Sequence, residues 1–496
     1  MSQTAQQSNA EKRPRESQAT KLVEQVQLSG SNELFHAADR TEFVSVLVDN
    51  HRETYFVKST SFRHYLRRLY FKAFGKPPGQ NAIRDALEMC AALAVEGPEH
   101  EVFMRVGEAD GALWLDLGDP DWIAVRIDSS GWRPVPNPPI RFRRAPGMLA
   151  LPVPVLGGKV GELRQFLNLD SDQDFCLVLS WLCAAFRPCG PFPILIAHGE
   201  QGSAKSTLNR ILRELVDPHK LPIRCNPHEN GDLFIAARHS QVIAFDNISK
   251  IEPWLSDSLC RLATGGGMGK RELYSDAEEV ILNYSRPLMI NGIDDLASRG
   301  DLADRSIVIY LPVIEEEHRQ EERVLWAAFR EAQPRILGAL LDAVGAALRA
   351  MEQGAVHLDS KPRLADFAMF AVACEIPLGF APGEFMKAYD SNRLDTTRTV
   401  LETPFAEAII TFAQEREAWK GTASNMIAEF RMMACLIGKA WPQSPRAFAG
   451  QLRRLAPSLR SMGVNFIFGK REGHTGNKLI YLTYSEPKEE MNHEHN

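Results

Sequence analysis

Short apolar runs alternate with helical patterns in the middle of the chain. The runs are ILIAH (194–198), VIAF (242–245), PLMIN (287–291) and IVIYL (307–311). Strands that are apolar throughout are typical of a parallel sheet that helices cover on both faces. The pattern therefore predicts an α/β core over residues 159–330, and a helical segment follows over residues 331–398.

The residues before this core show two other patterns. Residues 1–38 are rich in Gln, Ser, Glu and Lys and poor in aromatics, which favours a disordered tail. Beyond them, FVSVLV, YFVK, VFMRV, ALWLDL and WIAVRI predict short strands, and residues 62–74 predict a basic helix. Proline-rich stretches between residues 135 and 158 mark the end of this α+β domain, placed at residues 39–158.

The last hundred or so residues predict a small separate domain at 399–486, followed by a tail at 487–496. Ser444 followed by Pro445 is a strong helix start, because the first can cap and the second fits the first helical position. NFIFGK and KLIYLTY, joined by REGHTGN, predict a hairpin. Helices followed by a two-stranded wing suggest a winged helix.

The composition is that of an ordinary globular protein. The chain has 496 residues, 44% apolar and 24% charged, so several domains are expected. No apolar run is long enough to span a bilayer, and the first twenty or so residues show no signal peptide. We expect a cytoplasmic protein with no membrane partner. The eight cysteines include no Cys-x-x-Cys pair, which argues against a zinc ribbon and favours buried thiols.

A glycine-rich segment follows the first apolar run and has the pattern of a phosphate-binding loop, or Walker A motif. Such a loop turns backbone N–H groups inward and points a helix N-terminus at the phosphates. Lys205 would reach the β- and γ-phosphates of ATP, and Ser206 would hold Mg²⁺. Ala204 stands where the usual motif has glycine. The alternative is a glycine turn with a surface lysine. The predicted nucleotide-binding residues are Gly199, Glu200, Gln201, Gly202, Ser203, Ala204, Lys205, Ser206 and Thr207.

Two further polar residues lie at the ends of later apolar runs. Asp246 ends the second run and can complete the Mg²⁺ shell opposite Ser206, or it merely caps the next helix. The residue after it is Asn247, where many such ATPases have a water-activating glutamate. Glu200 is a weak candidate for the general base. Because the usual glutamate is missing, ATP hydrolysis could be slow. Asn291 ends the third run and would contact the γ-phosphate or position the attacking water. The alternative is that its side chain only stabilises the turn after the strand.

Taken in order, GEQGSAKST, VIAFDN, PLMIN and DLADRS resemble the superfamily 3 helicases, a branch of the AAA+ ATPases. More closely they resemble the poxvirus- and phage-type primase–helicase proteins of bacteriophages and integrated elements. The resemblance implies an α/β P-loop AAA+ core in a ring, usually a hexamer, that moves along single-stranded or forked DNA. In such rings Lys205, Ser206, Asp246 and Asn291 act on the nucleotide of their own subunit.

The same resemblance implies that Arg305 reaches the nucleotide of the neighbouring subunit. Arg299 is the second candidate for this role. The alternative role for Arg305 is a structural salt bridge. A hairpin between the second and third motifs would face the ring's channel, with Lys270 and Arg271 at a glycine-rich turn. An exposed basic loop without DNA is an equal alternative. No primase metal motif precedes the core, so priming would need a separate primase or polymerase.

The net charge of −6 conceals two stretches with basic residues and no acids, residues 54–84 and 441–471. Segments of like charge favour an anionic partner. In residues 62–74 arginines and aromatics interleave, so DNA contact and core packing both remain open. In the C-terminal stretch the alternatives are DNA contact by a winged helix or a solvated face used for protein contacts. The predicted DNA-binding residues there are Arg446, Arg453, Arg454, Arg460, Lys470 and Arg471.

These observations favour an ATP-dependent DNA helicase or translocase in the replication of a phage or mobile element. One alternative is an ATP-switched DNA-binding initiator or loader that does not unwind, which Asn247 favours. Another is a signalling NTPase ring with no DNA partner.

Overall fold

The computed structural model describes most of the chain, namely residues 16–266, 268–271, 279–282, 285–292, 299–432, 441–442, 444–472 and 477–486. These residues form two compact units. The first unit spans residues 16–126 and 133–146, and the second spans residues 127–132 and the described residues from 147 onward. Within the described ranges, no helix is long and apolar enough to cross a membrane.

The first unit is mixed α+β, as predicted. Two antiparallel pairings, β1–β2 and β2–β3, make one sheet, and a second sheet has the order β4-β5-β6-β7. Residues 16–146, which include residues 127–132 of the second unit, contain the elements α1 (Gln18–Leu28), β1 (Glu33–His36), β2 (Glu42–Val48), β3 (His51–Phe56), α2 (Thr60–Phe74), α3 (Gln80–Glu96), β4 (Val106–Ala109), β5 (Ala112–Asp116), β6 (Ala124–Asp128) and β7 (Gly131–Val135).

Residues 18–36 fold, although their composition predicted a tail. Ser17 caps α1 by accepting a hydrogen bond from the backbone N–H of Thr20 at 3.0 Å. Leu22 and Val26, four residues apart on one face of α1, are buried in a cluster with residues of α2 and α3. The prediction was wrong here because two apolar side chains on one helix face suffice when other helices cover them. Residues 1–15 and 487–496 lie outside the described residues.

The basic helix α2 buries some of its aromatic residues and exposes its cationic ones. Phe62, Leu66 and Tyr70 are buried in the unit's hydrophobic cluster. Arg63 and Arg67 are exposed. Core packing is therefore the role of Phe62 and Tyr70, which cannot also stack on a nucleic acid.

The second unit contains the predicted α/β core and the helices that follow it. Its elements are α4 (Asp172–Ala185), β8 (Ile194–His198), α5 (Lys205–Val216), α6 (Asn230–His239), β9 (Ile243–Phe245), α7 (Pro253–Thr264), β10 (Met268–Arg271), β11 (Glu279–Leu282), β12 (Leu288–Gly292), α8 (Gly300–Ala303), β13 (Ser306–Tyr310), α9 (Glu322–Glu352), α10 (Ala365–Cys374), α11 (Glu384–Leu401), α12 (Pro404–Arg416), β14 (Ala418–Thr422), α13 (Ala423–Met432), α14 (Pro445–Ser461), β15 (Val464–Glu472) and β16 (Asn477–Tyr484).

The four apolar runs form one parallel sheet in the order β13-β8-β12-β9, which confirms the predicted strands. Beyond β9, Arg224 makes an isolated parallel bridge with Phe245. Side chains on both faces of the sheet are buried, including Ile194 and Leu195 as neighbours in β8. This two-sided burial is why most positions of the strands are apolar, whereas Tyr310 at the end of β13 is exposed.

Helix α9 runs through the boundary that the sequence placed at residue 330. Its 31 residues continue from Glu322 to Glu352, and Phe329, Ile336 and Leu340 are buried along it. The boundary was wrong because the apolar face of α9 continues without interruption past residue 330.

The C-terminal elements follow the order helix, strand, helix, helix, strand, strand, from α12 to β16. Their sheet has the order β14-β16-β15. The predicted helix start is confirmed, because Ser444 Oγ accepts a hydrogen bond from Ala447 N at 3.2 Å and Pro445 is the first residue of α14. The predicted hairpin is confirmed by the antiparallel pairing of β15 with β16.

The C-terminal elements share a hydrophobic core with the parallel sheet. One continuous cluster includes Ile290 of β12, Leu401 of α11, Leu459 of α14 and Leu482 of β16. The elements predicted as a small domain over residues 399–486 therefore pack against the core of the parallel sheet and do not stand apart from it.

Candidate nucleotide and nucleic-acid sites

The glycine-rich loop joins β8 to α5 and needs left-handed backbone at three positions. Gly199, Gly202 and Ala204 have φ angles of 152°, 86° and 63°. A Cβ atom on Gly199 would lie 2.5 Å from the carbonyl oxygen of Leu311. Only glycine fits there, whereas Ala204 holds a conformation that costs an L-residue about 1–2 kcal/mol.

Gly199→Ala tests how closely this loop must be packed. We expect the added methyl group to displace the loop from Leu311 and to weaken ATP binding at least about tenfold. Gly161→Ala is the control, because a Cβ there meets nothing within 4 Å and its backbone is not left-handed. Isothermal titration with ATP compares the two variants. Equal affinity for both would show that the loop does not bind nucleotide.

Lys205 begins α5 and folds back over the loop. Its Nζ donates hydrogen bonds to the carbonyl oxygens of Gly199 at 2.7 Å and Glu200 at 2.6 Å. Burial lowers the pKa of the Lys205 ammonium, and the nearby Asp246 carboxylate opposes this shift. A cation placed at a helix N-terminus, beside inward-facing backbone, creates a positive site for phosphate.

Ser206 and Asp246 meet beside this loop. Ser206 Oγ donates a hydrogen bond to Asp246 Oδ1 at 2.8 Å, across the gap between α5 and the end of β9. A hydroxyl and a carboxylate supply the hard oxygen ligands that Mg²⁺ prefers. The residues present therefore fit a magnesium–nucleotide group.

Asn291 lies between the two motifs, on the central strand β12. It is 1% exposed, and its Oδ1 accepts a hydrogen bond from Asn247 N at 2.8 Å. Its Nδ2 has no hydrogen-bond partner among the described residues. A buried donor without an acceptor is costly, and a phosphate oxygen or ordered water would satisfy it.

Asn247 follows Asp246 with a left-handed φ of 53° and an exposed side chain. Asparagine tolerates this conformation better than most residues. Glu200, the weak candidate for the general base, is exposed on the loop.

Arg305 lies at the end of the parallel strands that is opposite to the glycine-rich loop. It precedes β13, and its carbonyl accepts a hydrogen bond from Ile194 N, at the start of β8, whereas the loop follows the end of β8. The five residues of β8 separate these two ends of the strands by about 17 Å. Arg305 therefore cannot reach a nucleotide bound by its own loop.

Arg305 and Arg299, the two candidates for reaching the neighbouring subunit's nucleotide, differ in their partners. Arg305 Nη1 donates to the carbonyl of Asp301 at 2.7 Å, and no carboxylate pairs with it in the described part of the chain. Arg299 instead forms ion pairs with Asp257 and Asp301. The geometry favours Arg305 over Arg299.

The predicted DNA-binding residues fall on three elements. Lys270 and Arg271 lie within strand β10, which pairs with β11, and not at a turn as predicted. They were misplaced because the turn at Gly265 ends α7 instead. Lys470 and Arg471 lie on β15, next to a register shift in the hairpin.

Helix α14 carries the other four predicted residues. Arg446, Arg453 and Arg460 follow one another at seven-residue spacing, which places them along one side of the helix. They and Arg454 are exposed, and α14 contains no acidic residue. The guanidinium of Arg453 lies 4.9 Å from the ring centre of Phe468.

Two residues near the loop were missed by the sequence analysis. Arg319 lines an open cavity of about 600 Å³ together with Gln201, Gly202 and Ala204. Asn168 donates hydrogen bonds to the carbonyl oxygens of Ser203 at 3.1 Å and Pro312 at 2.6 Å, which braces the loop. Neither belongs to a motif, because their positions depend on how distant loops meet.

Comparisons with known proteins bear on the identity of the chain. Solved structures of the apo C-terminal region of NrS-1 are similar to it. One has 12% identity, covers 93% of this chain and 99% of its own, and has a TM-score of 0.42. Another has 12% identity, covers 95% and 100%, and has a TM-score of 0.38. A search of curated proteins found no match.

Two family models match the chain. Residues 160–395 match the actinomycete integrative conjugative element replication protein. Residues 405–492 match the C-terminal domain of that protein, RepA. The chain therefore carries the two domains of the actinomycete integrative conjugative element replication proteins, and it is a replication protein of a mobile element.

Proposed function

We propose that this replication protein is an ATP-dependent DNA translocase or helicase that works as a ring. The observation that carries the proposal is the meeting of Lys205, Ser206, Asp246 and Asn291 beside one edge of the parallel sheet. Lys205 and the loop would bind the phosphates, and Ser206 and Asp246 would hold Mg²⁺. Bound Mg²⁺ would neutralise charge on the phosphates, while the Nδ2 of Asn291 would donate to an oxygen there.

The strand order supports an AAA+ core. β8 carries the glycine-rich loop, β9 ends at the acid and β12 carries the buried asparagine between them. Arg305 stands at the far edge, where a neighbouring subunit could receive it. Because the glycine-rich loop and Arg305 lie at opposite ends of the strands, each complete site would need two subunits. This supports hydrolysis at subunit interfaces, in a ring such as a hexamer.

The C-terminal elements support DNA binding by a winged helix. Their order from α12 to β16, and the sheet order β14-β16-β15, are those of winged helices. Helix α14 would then be the recognition helix, and its row of exposed arginines would meet phosphates.

Replacing Arg446, Arg453 and Arg460 together by alanine tests this DNA contact. Because each lost phosphate contact removes about 0.9 from the slope of log affinity against log salt on duplex DNA, we expect the slope to fall by about 2.7. Fluorescence anisotropy at several salt concentrations measures it. As control, alanine at Arg323, Arg330 and Arg398, which are exposed on α9 and α11, removes the same charge. Similar slopes for both variants would assign α14 to another role.

Asn247 gives one observation in favour of a different function. With an amide after Asp246, no carboxylate stands at the position that activates water in many such ATPases, so ATP could act as a switch for a DNA-binding initiator. Strand displacement from a forked duplex separates the two functions. The proposal expects displacement that requires ATP hydrolysis, whereas an initiator would bind the fork and leave it paired.

A further inference from the structure

The first unit holds a cationic cleft that lies outside the residues matched by both family models. The cleft measures about 330 Å³ and lies where α2 meets the start of α3. Its charged and amide-bearing lining residues are Lys58, Arg63, Arg67, Gln80, Asn81, Arg84 and Glu88. Four of them are cations and one is an acid, so the cleft attracts anions.

The cations differ in how far they are already neutralised. Lys58 pairs with Glu88 at 3.3 Å, and Arg84 pairs with its neighbour Asp85 at 3.5 Å. Across the described ranges, no carboxylate pairs with Arg63 or Arg67, and both are exposed. Two guanidinium groups, each with five N–H donors, are thus available to an external anion.

The two arginines stand in a row that α2 continues. Arg63, Arg67 and Phe71 follow at four-residue spacing, so each lies about one helical turn, or about 6 Å along the axis, from the next. Phe71 is 56% exposed, whereas the aromatics Phe62 and Tyr70 of the same helix are buried. More than half of the Phe71 side chain is therefore open to solvent, beside the row of cations.

We propose that this face of α2, with its cleft, binds single-stranded DNA. Arg63 and Arg67 contact successive phosphates, and Phe71 stacks on a base, which requires the base to be unpaired. Charge complementarity and the exposed ring together favour a single strand over an acidic protein, which would offer no bases to stack. The proposal rests on the proposed function, since a protein that moves on forked DNA produces single strands.

Binding of a fluorescent oligothymidine to the full chain, without nucleotide, tests the proposal. Because each phosphate contact on a single strand contributes about 0.7 to the salt slope, Arg63→Ala with Arg67→Ala should reduce the slope by about 1.4. Phe71→Ala should weaken binding about tenfold, with little change in slope. All three side chains are exposed, and circular dichroism checks that the variants keep their fold.

The control removes the exposed arginines Arg323 and Arg330 of α9, which lowers the net charge equally. Equal slopes for the control and the α2 variant would overturn the proposal, as would a loss confined to duplex DNA. If the α2 variant loses binding but DNA does not stimulate ATP hydrolysis by the parent protein, the proposed function fails and this site stands. If DNA stimulates ATP hydrolysis by the parent protein and the α2 variant binds the oligothymidine normally, only the proposal for this site is wrong.

Discussion

Arg305→Ala is expected to lower the rate of ATP hydrolysis by about 10³–10⁵, while ATP binding stays close to normal. The reason is the position of Arg305 at the edge of the sheet that is remote from its own glycine-rich loop. An arginine there would complete the neighbouring subunit's site, where it stabilises charge in the transition state without holding the ground-state nucleotide. Steady-state hydrolysis and nucleotide titration on the same preparation measure both quantities.

Arg299→Ala is the matched control for this prediction. Arg299 is close in the chain to Arg305 but is engaged by Asp257 and Asp301, so its loss should change the rate only a few-fold. A large loss with Arg299→Ala and a small one with Arg305→Ala would reverse the assignment.

Mixing two inactive variants tests whether Arg305 acts between subunits. In a ring that contains Lys205→Ala and Arg305→Ala subunits, some interfaces combine an intact Lys205 with an intact Arg305. We therefore expect the mixture to recover activity that neither variant shows alone. No recovery, in rings shown by native mass spectrometry to contain both variants, would contradict action in trans.

Lys205→Ala is expected to abolish hydrolysis to at least about 10²-fold below the parent rate and to weaken ATP binding as well. Its ammonium is the cation at the N-terminus of α5, and it also holds the carbonyl oxygens of Gly199 and Glu200. Removing it would take away the proposed phosphate contact and these two hydrogen bonds within the loop.

Lys220→Ala is the control for this second prediction, because Lys220 is exposed and, among the described residues, its side chain makes no hydrogen bond or ion pair. Lys205→Arg separates charge from shape, since it keeps the positive charge in a larger side chain. Hydrolysis that survives in Lys205→Ala would exclude the loop from catalysis.

The α/β core was predictable from sequence because most positions of its strands are buried. Burial on both faces makes these positions apolar, so runs such as ILIAH and IVIYL stand out from the rest of the chain. The carboxyl ends of parallel strands meet at one edge, so polar residues after those runs were also placed correctly relative to one another. Ser206 and Asp246, which are far apart in the chain, lie within hydrogen-bond distance.

The parts that could not be predicted depend on contacts between distant segments. Helix α1 is weakly apolar and folds because α2 and α3 cover Leu22 and Val26. The shared core of the C-terminal elements needs the positions of α11 and α14, which no local pattern contains. Arg319 comes to the cavity beside the glycine-rich loop on a segment after β13, and no motif marks it.

The central claim is that ATP hydrolysis in this protein is coupled to DNA. ATP hydrolysis with and without single-stranded DNA, with Lys205→Ala as the blank, tests it most directly. We expect the rate to rise with DNA in the parent protein, and we expect no DNA-dependent hydrolysis in the variant. A parent rate that does not change with DNA would rule out a DNA-coupled motor and favour an ATP-controlled switch or a signalling NTPase ring.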